Sequence, residues 1–326
     1  MPRVGPILSR LAQSLLVLLI VYTVTFWMLM ALPGDPFVGE RNVPEPVRNA
    51  LAARYHLDYL KEPPAERARM PAGRVFEAKA KAYVTYLADV VEHGDLGPTI
   101  SYEYITVNQI VAQSLPVSVA LGALALLLAL WLGVAAGTVG AVFRGRWPDL
   151  ALTVVTLLGV SLPTFVVGTL LLMLFGVYLP VLPVGGWGTV GQLVLPAFTL
   201  ALFYLAYIAR LTRASVLDTL SADYVRTARA KGLPHTTVIA RHVLRNAALP
   251  VLSYLGPTAA IVLTGSFVVE KIFNIPGIGQ HFVNACLNND IPLVLGTVMV
   301  FTALIVVFNA LVDIAYLWAD PRIRHR

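Results

Sequence analysis

Apolar positions in this chain come in long runs separated by shorter polar segments, and the runs have the length of membrane spans. A spanning helix needs about 20 mainly apolar residues. Six stretches meet or nearly meet that length: Leu11–Leu32, Val111–Phe143, Leu150–Tyr178, Leu193–Ala209, Ala247–Glu270 and Ile291–Ala319. The pattern predicts an all-α polytopic membrane protein with six transmembrane helices. The fourth stretch is the shortest, and its lower boundary stays open toward Leu220. The first is too long for the h-region of a cleavable signal, and Pro33-Gly34-Asp35-Pro36 behind it is no small-residue cleavage site.

Between the fourth and fifth runs lies a charged segment, Ser221 to Pro250. It reads as helix, turn, helix. Ser221 is placed to cap a helix through Lys231, with Asp223 in its first turn and Gly232 and Pro234 as the stop. Thr236 is placed to cap a second helix toward Ala247, with Ile239, Val243 and Ala247 on one face and Arg241 and Arg245 on another. Ala222, Ala228 and Ala230 on the first helix offer small residues for close approach of another surface. A charged, folded segment of this kind implies a soluble partner.

Composition agrees with the run pattern: 57% of residues are hydrophobic and 13% charged, and the mean hydropathy is +0.74, far above that of a soluble domain. Charge then sets the orientation. With a cytoplasmic N-terminus, the inside segments carry 14 basic residues against four acidic ones (Asp149, Asp218, Asp223, Asp320), whereas Pro33–Ile110 carries nine basic and eleven acidic. This is the positive-inside asymmetry, and it places both termini and Ser221–Pro250 in the cytoplasm. The net charge of +6 is explained by topology. A DNA-reading helix-turn-helix is disfavoured because both ends of the segment run into apolar spans.

Pro33–Ile110 is the other sizeable region outside the spans. It combines proline-rich turns with a predicted helix from Val75 to Glu92, whose Ala78, Ala82, Leu87 and Val91 form an apolar side, and Lys61–Arg74 reads as a flexible insertion. Such a region serves as a small lid or docking cap, or as a loose elaboration. The linear organisation is therefore 1–32, 33–110, a five-helix core 111–320 containing the loop 221–250, and a tail 321–326.

Chemistry-bearing patterns are few. No lysine follows a glycine as in a P-loop, the six histidines lack metal-binding spacing, and no Gly-x-Ser-x-Gly elbow occurs. The lone Cys286 makes no intrachain disulfide or zinc site. Ser114, Ser118, Ser161 and Ser266 read as helix-packing hydroxyls. Asp313 lies in the sixth span with Asn309 one turn before it, and either packs against a neighbouring helix or serves the pathway. Glu270, at the end of the fifth span, reads as interfacial. Leu162-Pro163, Pro180, Pro183–Gly186 and Pro276-Gly277-Ile278-Gly279 punctuate apolar segments where helices have to bend or gate, which suits non-helical backbone lining a cavity. Loop ends explain Pro180–Gly186 as well, whereas Pro276–Gly279, in the hairpin between the fifth and sixth spans, is a candidate gate. A self-powered carrier with Asp313 and Glu270 as ion-coupling groups is the alternative reading; a membrane-embedded enzyme finds no constellation.

Tyr224 and Arg226-Thr227-Ala228-Arg229-Ala230-Lys231-Gly232-Leu233, followed by Arg241-His242 and Pro250, resemble the coupling loop of binding-protein-dependent ABC importer permeases of the peptide group. Arg226-Thr227-Ala228 stands where the general family pattern has Glu-Ala-Ala, Gly232 is kept, and His242-Val243-Leu244-Arg245 replaces Ile-x-Leu-Pro, as in the peptide branch. Pro33–Phe37, Gly39–Arg41, Tyr55-His56-Leu57, His93–Pro98, Pro116-Val117-Ser118, Pro276–Gln280 and Asp320-Pro321 also look like the first membrane subunit of oligopeptide and dipeptide permeases. The resemblance implies a type I ABC importer permease fold in the bacterial inner membrane. It also implies a non-catalytic subunit that pairs with a homologous second permease, two ATPases holding ATP and Mg, and an extracytoplasmic peptide-binding protein. No cofactor is implied in this chain itself.

Overall fold

In a computed structural model, the structure describes residues 4–31, 49, 52–61, 66, 69–100 and 105–319, with side chains placed within residues 12–311 except at 60 and 61. Eleven helices carry the argument: α1 (Val4–Ala31), α2 (Ala72–His93), α3 (Val107–Val142), α4 (Trp147–Ser161), α5 (Thr164–Tyr178), α6 (Val190–Leu220), α7 (Asp223–Ala230), α8 (His235–Leu263), α9 (Phe267–Ile272), α10 (Ile278–Leu287) and α11 (Ile291–Ala319). Among the described residues, α1, α3, α6, α8 and α11 are long and apolar enough to cross a membrane, and α4 with α5 makes a sixth span if the bent pair is counted as one.

That pair breaks the stretch Leu150–Tyr178 at Leu162-Pro163, one of the places where the sequence puts a bend. Leu162 precedes Pro163 and is extended (φ −85°, ψ 131°), because the proline ring excludes the helical conformation at the residue before it. The two helices consequently meet at 110°. The fourth span runs past Ala209 to Leu220. The fifth starts earlier than Ala247 and ends at Leu263, short of Glu270.

Two compact units divide the chain: residues 1–115 with 280–304, and 116–279 with 305–326. In the first, α2 confirms the helix expected from Val75 to Glu92. Its inward face is Ala82 and Tyr86, whereas Val91 points outward. Those two side chains pack with Tyr22, Phe26 and Met30 of α1, with Tyr55 and Leu57, and with Ile291 and Leu295 of α11. Lys79 Nζ donates to the Met30 carbonyl at 2.6 Å, which supplies a cation to one of the last carbonyls of α1, where the helix dipole favours positive charge. Arg54 reaches Asp89 at 3.1 Å and Asp95 at 2.7 Å. Asp290 is fully buried and caps α11, accepting from Leu293 N at 3.2 Å, from Ile100 N at 3.0 Å and from the Thr99 hydroxyl.

The second unit is built around α6, which packs against α4, α5 and α8. Close approach between helices replaces water exclusion as the organising force in lipid, so contacts favour small residues. A Cβ added at Gly122 of α3 would meet the Val262 carbonyl of α8, and one at Gly133 or Gly137 would meet Ile208, or Ala209 and Thr212, of α6. Leu121, Leu200, Ile208, Val262, Val269 and Phe273 fill the core between these backbones. Arg213 of α6 binds Asp149 of α4 through two bonds of 2.5 and 2.9 Å, and Gly145 N donates to the same carboxylate at 2.9 Å.

Candidate functional site

The charged segment folds as a short amphipathic helix seated on the bundle, with two differences from the sequence reading of its caps. Because α6 continues to Leu220, Ser221 closes that helix, donating its hydroxyl to Asp218 O at 2.7 Å, and Ala222 becomes the N-cap of α7. The second helix begins at His235 behind Pro234 and runs without interruption into the fifth span. Thr236 therefore caps nothing, and a π-helical turn at Val238–Val243 adjusts the register so that Val238, Val243 and Ala247 all face inward.

Burial splits α7 cleanly. Val225 and Ala228 pack into a cluster with Ala141 of α3, Val216 of α6, and Val238, Val243 and Ala247 of α8. Ala222 and Ala228 thus serve the chain's own packing, and of the three alanines only Ala230 faces outward. Tyr224, Arg226, Thr227 and Arg229 on α7, then Lys231, Gly232 and Leu233, are exposed. The Tyr224 hydroxyl is held by Asn246 Nδ2 at 2.7 Å, tying the exposed face to α8.

Gly232 ends the helix. Its φ of +78° lies where an L side chain is disfavoured. Leu233 N bonds Ala228 O at 3.4 Å and Gly232 N bonds Arg229 O at 2.9 Å, the paired reverse bonds of a Schellman ending. The result is a surface of two exposed apolar side chains, Tyr224 and Leu233, among the cations Arg226, Arg229, Lys231, Arg241 and Arg245.

The hairpin after α8 also differs from expectation. Helix α8 stops at Leu263, Gly265 takes φ +98°, and α9 starts under a Ser266 cap that accepts from Val269 N at 3.4 Å. Glu270 therefore lies on α9, and it is fully buried, not interfacial. Ser118 of α3, also fully buried, donates its hydroxyl to Glu270 Oε1 at 2.8 Å and accepts from Ile278 N at 3.0 Å. It is a linking group and more than a packing hydroxyl; Ser114, by contrast, bonds back to Ile110 O within its own helix. Among the candidate gate residues, Gly277 and Gly279 are buried against the Glu270 carboxylate, while Pro276 is exposed. Asn309 is exposed on α11, and the Asp313 side chain lies outside the described residues, as do the Pro33–Phe37, Gly39–Arg41 and Asp320-Pro321 motifs.

Three polar contacts went unread in the sequence. Asp290 had a signal, since an aspartate followed closely by Pro292 at a helix start is a cap pattern. The Ser118–Glu270 and Asp149–Arg213 pairs had none, because 152 and 64 residues separate the partners. Among the described residues, no group of three His, Cys, Asp or Glu side chains is arranged to hold a metal ion.

Spanning helices, a bent pair and a basic helix held between two spans define a polytopic membrane protein that is helical throughout its described spans. The chain belongs to the family of binding-protein-dependent transport system inner membrane components, whose sequence profile matches residues 129–325. It is 42% identical over 321 residues to the oligopeptide transport system permease protein OppB of Escherichia coli strain K12, covering 98% of this chain and 99% of that one. It is 38% identical to the dipeptide transport system permease protein DppB of Bacillus subtilis, over 94% of each. Among solved structures, a chain of the methionine ABC transporter MetNI in an inward-facing conformation matches with a TM-score of 0.51 at 16% identity, covering 66% of this chain and 95% of that one. That likeness establishes the type I importer permease fold.

Proposed function

We propose that this chain is one membrane subunit of an ATP-driven peptide importer, forming half of the translocation pathway together with a homologous second permease. The observation that carries the reading is 42% identity along nearly the whole chain to a protein named for oligopeptide transport. The α7 surface supports the coupling role. Residues 221–250 face the cytoplasm by the positive-inside asymmetry, and Tyr224, Arg226, Thr227, Arg229, Ala230, Lys231, Gly232 and Leu233 present the helix and its end to one of two ATPase subunits. Ala228 anchors it from behind.

ATP and Mg belong to those ATPases, and this chain hydrolyses nothing. An extracytoplasmic binding protein delivers the peptide. Closure of the ATPase pair around nucleotide binds one conformation of the α7 surface better than another, and that difference drives alternating access. Pro276, Gly277, Gly279, Asn309 and Asp313 are the proposed gate and pathway residues.

Affinity purification of the tagged chain from its native membrane, followed by mass spectrometry, tests the assembly. Recovery of a second permease and two ATPase polypeptides is expected. Recovery of the chain alone, still moving peptide in vesicles, would sink the proposal in favour of a self-powered carrier.

A further inference from the structure

Helix α8 physically joins the two features described above. Its first turn follows the α7 loop, its last residue precedes the Gly265 elbow, and its 29 residues span about 43 Å at 1.5 Å per residue. The far end of this rod is joined directly to the segment from Thr264 to Gly279.

That segment is pinned around one carboxylate. Gly265, Gly277 and Gly279 each sit so close to Glu270 that an added Cβ would meet its carboxylate oxygens, at 2.7 Å for Gly265 and 2.8 Å for Gly279. Ile275 N bonds the Glu270 carbonyl at 2.9 Å, closing the hairpin on α9. Ser118 bridges the carboxylate to Ile278 N, at the first turn of α10, where the helix dipole favours an anion. A glutamate kept at zero exposure and enclosed by three glycines from two segments is costly to bury unless its carboxylate is held by hydrogen bonds.

We propose that Glu270 is a positioning residue that locks the Gly265–Gly279 hairpin to α3, so that displacement of α8 bends the chain at the Gly265 elbow and shifts the hairpin as one piece. This rests on the importer reading for its consequence, the coupling of nucleotide to transport, and on the geometry alone for the lock itself.

The test is made on the complex that co-purifies with this chain, reconstituted in liposomes. Glu270→Gln keeps the volume but removes the charge and one acceptor oxygen; Gly277→Ala keeps the charge but pushes a methyl into the carboxylate. Glu270→Gln is expected to assemble with unchanged basal ATP hydrolysis and to lose about tenfold in peptide-stimulated hydrolysis and uptake, Gly277→Ala to lose similarly relative to its own basal rate, and Ser118→Ala to lose less. Stimulation at wild-type level in Glu270→Gln overturns the proposal. So does a loss that merely follows the amount of folded complex, since that is a structural role only.

A second readout separates the lock from the importer reading. In a Cys286→Ser background, the buried Ile275 is changed to Cys and labelled with a membrane-impermeant maleimide. Glu270→Gln is expected to raise the labelling rate several-fold, whatever the transported substrate. An unchanged rate overturns the lock, whereas absence of ATP-driven peptide uptake by the wild-type complex overturns only the importer reading.

Discussion

Single residues in this chain act mainly through what their backbone permits or their carboxyl group gathers. Gly232 has open space where a Cβ would go, so its requirement is conformational: φ +78° costs an L residue about 1–2 kcal/mol. Gly232→Val is therefore expected to insert normally yet loosen the end of α7, weakening ATPase co-purification and uncoupling hydrolysis from uptake. Wild-type coupling in a well-folded Gly232→Val complex would remove the loop end from the coupling surface. Glycine at 232 was legible in the sequence because a stop signal is local. Gly277 and Gly279 were legible only as non-helical backbone of a candidate gate and Gly265 went unread, since the carboxylate the three enclose reaches them through folding.

Elements are held by a few side chains whose loss should be visible at that scale. Val225 is the buried anchor of α7, and a carboxylate there has no partner among Ala141, Val216, Val238 and Val243. Val225→Asp is expected to release α7 and with it the ATPase, while Arg226→Glu with Arg229→Glu should leave α7 seated and weaken docking by reversed charge alone; limited proteolysis at residues 221–234 distinguishes the two. Arg213 and Asp149 join α6 to α4 below the 110° bend. Arg213→Met is expected to lower the thermal midpoint, and the paired change Asp149→Leu/Arg213→Met to recover part of it, because removing one partner leaves the other charge unsatisfied.

In the segment before α3, Arg54 hydrogen-bonds Asp95 and holds its carboxyl below the ordinary value. A depressed carboxyl stabilises the fold above its unfolded pKa, about 4, and loses that contribution as pH falls through the folded value. Acid titration of melting should show this loss in the wild type and not in Arg54→Ala, and salt should shrink the difference because both groups are partly exposed.

For the whole molecule, the expected outcome is dependence: the chain reconstituted alone moves no peptide, and uptake appears only with the second permease, the ATPases and the binding protein. ATP-independent uptake by the single chain, measured with labelled peptide in vesicles, would restore the carrier alternative. The amino-acid sequence by itself determined the membrane class, the number of apolar runs, the helix within residues 33–110 and the place of the charged segment 221–250. These follow from run length, charge asymmetry and local stop signals, all of which act between near neighbours. Tertiary structure alone set the angle at Leu162-Pro163 to 110°, where the sequence marked a bend without its geometry. It also decided that α8 is one rod from His235 to Leu263 and that Ala228 faces inward. Glu270 belongs to the same group: beside Lys271 it reads as a surface charge, and its burial depends on Ser118 arriving from 152 residues away. Periodicity reports which face is apolar, but which polar groups meet inside depends on helix crossings that no local pattern encodes.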